Sequence, residues 1–533
     1  MSRPVALRGV IEGFYGPPWS HDARLALIEF IAERGMNAYV YAPKSDPRHR
    51  DAWREPYGAD EAARLAALAA RCRDVGARFG FALSPGLDIS YADDADRAAL
   101  LAKLRPLLDE GVDWVVLALD DIPNRPGLAA EQTALTSWLA DQVAGRLSLV
   151  PTEYVGTRPS PYLAELSAGL PAAVDVMWTG PTVCSPTIDA PDARGWRDAL
   201  GDRPLVLWDN YPVNDAIMEC ELHLGPYRGR TPRLTDELDG VLCNPMLQPH
   251  ASKVALATAA EFLRDPDAYD EADAWQRAID DVGGPRADGL GALARACADG
   301  PLLPARHLLL HELVAGVEHA ARDAAWPAAT VTARDELQAL RAAPRAYADA
   351  PDDPLRSELA PWLAQATLEA DAGLAALRLL QQVRPVASRA SSGEGRAAVP
   401  DAEAAMIHAF ALLFAWTGAR RGEPVVGGPR FAIHPAVVQR ADGSPGLDVD
   451  LAVREDESAT DRLCRFALAQ YREFERDDAP LTVAVRLGME LVPVEPDGAF
   501  TAPAGEAVIV HAGDHATRVG AGDAPPFPDA RLS

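Results

Sequence analysis

The first half of the chain alternates between two hydrophobic periods. Short apolar runs at residues 5–11, 38–41, 78–83, 114–119, 147–150, 174–177, 205–207 and 240–243 have strand length and leave no polar face. Such runs predict strands buried on both sides. Between them, apolar residues recur at helical spacing: Leu25, Leu27, Ile28 and Ile31; Leu65, Leu68 and Cys72; Leu100, Leu101, Leu104 and Leu108; Leu135, Trp138, Leu139 and Val143. A last amphipathic segment carries Val254, Leu256, Phe262 and Leu263. Ser20 stands where the first helix needs an N-cap. Eight strand–helix units within residues 1–265 match the size of a (β/α)8 TIM barrel, an α/β fold. The competing doubly wound sheet would show a GxGxxG or P-loop opening a helix, and none is present.

Beyond Asp265 the alternation stops. Residues 266–388 read as a helical bundle with a long helix at 355–383 and breaks at Gly283-Gly284-Pro285 and Pro301. Residues 389–400 read as a linker, within a polar stretch that includes Ser391-Ser392-Gly393. Residues 401–533 read as a small α+β or β-rich domain: an apolar helix at 406–416, then strand-like runs at 447–453, 481–485 and 508–510. His307 and His311 lie one helical turn apart, with Glu312 following, but the spacing is neither HExxH nor HxxEH. No metal and no cofactor is expected.

Composition narrows the partners. A net charge of -27 over 533 residues argues against nucleic acid and anionic membranes, which need basic patches. Six cysteines without a CxxC pair read as small buried residues of a reducing compartment. No apolar run reaches the ~20 residues that span a bilayer, and the first strand follows Met1 almost at once. The expectation is a soluble cytoplasmic protein, with the helical region as the surface for a homodimer if one forms.

The polar and aromatic residues at strand ends carry the candidate chemistry. Lys44, Asp120, Asp121, Tyr154, Trp178, Trp208, Asn210 and Asn244 each follow the C-terminal end of a predicted strand. In a (β/α)8 barrel those ends form the face that holds the active site. Asp120-Asp121 follows the apolar run of residues 114–119 and precedes Pro123. Two adjacent carboxylates raise at least one pKa and keep a proton for acid catalysis. An Asp-Asp pair is also a common turn or helix cap. Trp178 reads equally as barrel packing, and Lys44 has a surface reading beside the site one.

With the strand ends assembled, residues 7–265 resemble the β-N-acetylglucosaminidases of glycoside hydrolase family 84. The resemblance rests on Gly9-Val10-Ile11-Glu12-Gly13-Phe14-Tyr15-Gly16 with Trp19, Tyr41-Ala42-Pro43-Lys44, Trp53-Arg54-Glu55, and Ser84-Pro85-Gly86-Leu87-Asp88. It continues through Pro151-Thr152-Glu153-Tyr154, Trp178-Thr179-Gly180-Pro181, Trp208-Asp209-Asn210 and Gly225-Pro226-Tyr227, in the family's order. The resemblance implies that Asp120 accepts the N–H of a 2-acetamido group and that Asp121 is general acid, then base. It implies an acetamido pocket of Tyr154, Trp208 and Asn210, with Gly13, Lys44, Asp215 and Asn244 holding the sugar hydroxyls. The expected reaction is retaining exo-hydrolysis of terminal β-linked GlcNAc from a glycoconjugate or glycopeptide. The acetamido oxygen would be the nucleophile, through an oxazoline. A transglycosylase in the same pocket and a non-catalytic GlcNAc-binding regulator are the competing functions. The intact carboxylate pair argues against the regulator. Residues 401–533 show no acetyltransferase-like cofactor loop, a departure from the animal members.

Overall fold

In the computed structural model the chain divides into two compact units, Met1–Arg306 with Tyr347–Ala360, and His307–Ala346 with Pro361–Ser533. The structure describes residues 2–158, 160–201, 203–298, 300, 302, 309–320, 326–383, 402–420, 423–428, 436–439, 445–448, 457–475, 508–512 and 515–519.

The first unit holds the expected barrel. Eight parallel strands close on themselves in chain order: β1 (Leu7–Glu12), β2 (Ala38–Tyr41), β3 (Arg78–Leu83), β4 (Trp114–Ala118), β5 (Arg146–Val150), β6 (Asp175–Trp178), β7 (Leu205–Asp209) and β8 (Gly240–Cys243). Closure is made by β1 pairing with β8, Leu7 opposite Gly240 and Val10 opposite Cys243.

Side chains alternate along each strand. Leu7, Ile11, Ala38, Val40, Ala82, Trp114, Val116, Ala118, Val150, Met177, Val206, Trp208 and Leu242 fill the barrel interior. Their neighbours, such as Val10, Tyr39, Phe81, Val115, Leu117 and Leu207, pack outward in the layer shared with the helices. Ser20 caps α1 (His21–Glu33), its Oγ accepting from the Ala23 N–H at 3.2 Å.

One of the eight expected helices is missing. Between β7 and β8 the chain makes only two short 3-10 turns, Ala216–Met218 and Pro232–Asp236. Pro212, Gly225-Pro226 and Pro232 interrupt this stretch, and proline and glycine both oppose a continuous helix. The stretch is a long loop on the strand-end face. The helix after β8, α2 (Pro249–Arg264), has no N-cap side chain of its own. Glu358 supplies one from far along the chain, its Oε2 accepting from the N–H groups of His250 at 2.8 Å and Ala251 at 2.9 Å.

In the second unit, Leu309–Ala320, Trp326–Ala342, Ala402–Ala419, Ala459–Glu475 and the later turns of Pro354–Val383 are helical. They share one apolar cluster through Val314, Trp326, Leu337, Leu379, Leu412, Trp416 and Leu463. The helix expected at 406–416 lies within Ala402–Ala419. The amphipathic helix Ala459–Glu475 was not expected. Two antiparallel hairpins pair Ala436–Gln439 with Pro445–Asp448 and Val508–Ala512 with His515–Val519. The run at 508–510 falls in the second hairpin and the run at 447–453 meets the first only at 447–448. Residues 449–453 and 481–485, the linker at 389–400 and His307 lie outside the described residues.

Candidate active site

Extending the inward register of each strand by one or two steps reaches the residues at the mouth. Leu7, Gly9 and Ile11 lead to Gly13, and Ala38, Val40 and Ala42 lead to Lys44. Trp114, Val116 and Ala118 lead to Asp120, Val206 and Trp208 lead to Asn210, and Leu242 leads to Asn244. There they line a cavity of about 600 Å³ with Tyr15, Asp121, Tyr154, Thr179, Val183, Asp215, Ile217 and Glu221. A larger cavity of about 720 Å³ sits at the opposite end, among Arg78, Asp113, Arg146 and Asp175. Its charges are paired, Arg146 with Asp175 and Arg78 with Asp113, and that face of a barrel serves stability.

Lys44 Nζ donates to Asp120 Oδ2 at 2.5 Å, and both side chains are almost wholly buried. Asp120 Oδ1 is buried and has no hydrogen-bond partner among the described residues. A buried carboxylate oxygen without a donor is costly, so this atom is a waiting acceptor.

Asp121 is arranged differently. Its φ of 55° places a non-glycine residue in the left-handed region, which redirects the chain after β4. Tyr15 donates its hydroxyl to Oδ2 and Tyr154 donates to Oδ1, each at 2.7 Å. Lys44 Nζ lies 3.9 Å from Oδ2. Burial pushes this carboxyl up, but Lys44, the two tyrosine donors and Arg50 outweigh it, and its pKa is lowered. The expectation is that a neighbouring Asp120 favours a protonated Asp121; the surrounding contacts push in the opposite direction. Lys44 stands within reach of both carboxylates and compensates their charge. Burial, reinforced by the hydrogen bonds and charge of Asp121, raises both tyrosines well above the ordinary phenol.

A second cluster joins three strand ends. Trp208 Nε1 donates to Asn210 Oδ1 at 3.0 Å, which also accepts from Asn244 Nδ2 at 2.9 Å. Asn210 Nδ2 donates to the Val183 carbonyl at 2.7 Å, and the Gly13 N–H donates to Asn244 Oδ1 at 3.1 Å. Gly13 has no alternative here, because a Cβ would sit 2.1 Å from Trp208 Cζ2. Asp215 Oδ2 accepts from the Tyr15 N–H at 2.7 Å, and burial raises its carboxyl.

The structure therefore brings Gly13, Lys44, Asp120, Asp121, Tyr154, Trp208, Asn210, Asp215 and Asn244 to one cavity. Trp178 is barrel packing: it is buried, stacks on Trp196 at 6.0 Å and donates to the Gly156 carbonyl at 2.9 Å. Two residues were not singled out from the sequence. Tyr15 stood unremarked in a quoted motif. Arg50, whose guanidinium reaches Ser84 and the main chain of Asp121, lies in a loop with no motif of its own.

Residues 8–295 match the family model described as beta-N-acetylglucosaminidase. Protein O-GlcNAcase from Rattus norvegicus is 35% identical over 276 residues, covering 48% of this chain and 30% of that protein; the Mus musculus protein gives the same values. The chain thus spans about a third of the length of these curated relatives. Among solved structures, a mutant O-GlcNAc hydrolase of Thermobaculum terrenum superposes with a TM-score of 0.72 at 28% identity. That match covers 88% of this chain and 95% of the other.

Proposed function

Because the chain belongs to the β-N-acetylglucosaminidase family of glycoside hydrolases, we propose that it is a retaining exo-β-N-acetylglucosaminidase in which the substrate's own acetamido group is the nucleophile. The observation that carries this reading is the buried, donorless Oδ1 of Asp120, one residue before a carboxylate held at the cavity surface. An amide N–H is the donor that a 2-acetamido sugar would bring there. Accepting it turns the acetamido oxygen toward the anomeric carbon and balances the positive charge that grows on the group.

In the first step that oxygen bonds to the anomeric carbon while the glycosidic bond breaks. Asp121 gives its proton to the departing oxygen, leaving a cyclic oxazolinium ion whose N–H stays hydrogen-bonded to Asp120. In the second step a water loses a proton to Asp121 and opens the ring with retained β configuration. Because its contacts lower the Asp121 carboxyl in the free protein, the mechanism has the proton taken up as substrate binds. We assign that to exchange of one tyrosine hydroxyl for the glycosidic oxygen. Tyr154, Trp208 and Asn210 would enclose the acetamido group, and Gly13, Lys44, Asp215 and Asn244 would hold the hydroxyls. The O-GlcNAcase names of the relatives favour GlcNAc on protein as the substrate.

Two further carboxylates line the cavity, but each is engaged: Asp215 by the Tyr15 N–H and Glu221 by His223 at 3.1 Å. The deciding test compares an aryl β-N-acetylglucosaminide with the aryl β-glucoside. The glucoside should be essentially inert, and successive fluorination of the acetyl group should slow hydrolysis progressively. Comparable cleavage of the glucoside would mean that the protein owns a nucleophile.

A further inference from the structure

The loop after β2 sends two cations to the carboxylate pair, and only Lys44 has a place in the chemistry above. The loop is fastened to the end of β3. The Ser84 N–H donates to the His49 carbonyl at 2.9 Å, and His49 Nδ1–H donates to the Ala82 carbonyl at 2.9 Å. Asp46 ties the loop's start, accepting from the Tyr41 hydroxyl at 2.8 Å, the Tyr57 hydroxyl at 2.7 Å and the Arg48 N–H at 2.9 Å. From this platform the buried Arg50 donates through Nη1 to Ser84 Oγ at 3.0 Å and through Nη2 to the Asp121 carbonyl at 3.4 Å.

We propose that Arg50 is the positioning residue of Asp121: its guanidinium bridges the end of β3 to the Asp121 carbonyl, holds the left-handed turn that swings that carboxylate into the mouth, and sets the charge it faces. The role rests on reading Asp121 as the acid. By strand alternation Asp121 belongs to the outward set with Val115, Leu117 and Leu119, yet its carboxylate lines the cavity. The turn at φ 55° makes that reversal, and a side chain with a Cβ does not keep such a turn without support. Two fork-like donors in fixed geometry supply the support, which a lysine cannot reproduce. The groups facing Asp121 are Lys44, Arg50, Tyr15, Tyr154, Asp120 and Asp215. Removing Arg50 takes away a cation and leaves the acids, so the Asp121 carboxyl must rise.

The test uses the full chain and the variants Arg50→Gln and Arg50→Lys, with melting curves to establish that each folds; the conservative lysine is the variant least exposed to misfolding. With Arg50→Gln the basic limb of kcat/KM should move to higher pH. Hydrolysis of an alkyl or peptide-linked GlcNAc should fall about tenfold or more, while an activated aryl glycoside changes far less. With Arg50→Lys the limb should stay and the leaving-group effect should remain. Carbon-13 titration of the Asp121 carboxyl, assigned through Asp121→Asn, should show the same upward shift in Arg50→Gln without any catalysis. An unshifted titration, or equal losses on both substrates with the limb in place, would overturn the proposal. A wild-type protein inactive on every N-acetylglucosaminide would instead sink the functional reading, and the titration would still judge Arg50.

Discussion

Tyr15 and Tyr154 each place a hydroxyl on Asp121 at 2.7 Å, and Lys44 lies 3.9 Å away, so the protein favours the charged form of the group that the proposed mechanism uses protonated. The sign of the pH effect follows. kcat/KM reports the free protein, in which the Asp121 carboxyl is lowered. kcat reports the complex, in which the proposed mechanism exchanges one tyrosine bond. The basic limb of kcat/KM should therefore lie at lower pH than that of kcat, and Tyr15→Phe should move the kcat/KM limb upward; coincident limbs would contradict this. Asp121→Ala should lower kcat on poor leaving groups by about 10²–10⁴-fold and on an activated aryl glycoside much less. At Gly13 the constraint is steric. Gly13→Ala would drive a Cβ to within 2.1 Å of the Trp208 indole, disturb the Trp208–Asn210–Asn244 bonds and raise KM in steady-state assays.

Secondary-structure elements explain how far the sequence could be read. All eight strands were legible because a strand buried on both faces is a bare apolar run, and such runs stand out between amphipathic helices. Strand-end acids were legible as a class but not in their separate duties, which alternation decides. Asp120 continues the inward set of β4. Glu12 and Asp209 are buried on the outward side, where Glu12 binds Arg24 at 2.7 Å and Asp209 binds Arg230 at 2.5 Å. The missing helix after β7 had a visible signature in Pro212, Gly225-Pro226 and Pro232, but an expected barrel repeat overrode it. Arg50 and Glu358 were not legible, because each acts on a segment distant in sequence and neither belongs to a periodic pattern. Glu358 gives a test at this scale. It caps the helix Pro249–Arg264, so Glu358→Ala should destabilise the protein by about 1–2 kcal/mol in urea melts. Glu358→Gln should recover part of that loss, since it keeps an acceptor but not the charge.

For the whole molecule, the second unit sets where the chain can be shortened. Leu310, Val314, Trp326, Leu337 and Leu379 share their cluster with Leu412, Trp416, Leu463 and Tyr471, which lie beyond residue 400. A chain ending at residue 390 would leave those faces uncovered. It should bind a hydrophobic dye and aggregate on heating, whereas the full chain should not; equal dye binding would show that the earlier helices stand alone. The two-residue alternation in the barrel has a different consequence, for insertions and deletions rather than substitutions. Each strand acts as a counting device whose output is the identity of the side chain presented at the rim. Adding one residue between Trp114 and Asp120 would leave an apolar strand that still pairs, but would present an outward-set leucine in place of Asp120, as a frameshift changes every codon after it. Insertions of two would restore the parity and push the pair farther from Lys44. Mutational tolerance at these strand tips should therefore alternate with the length of the insertion, a pattern that no scan of single substitutions would expose.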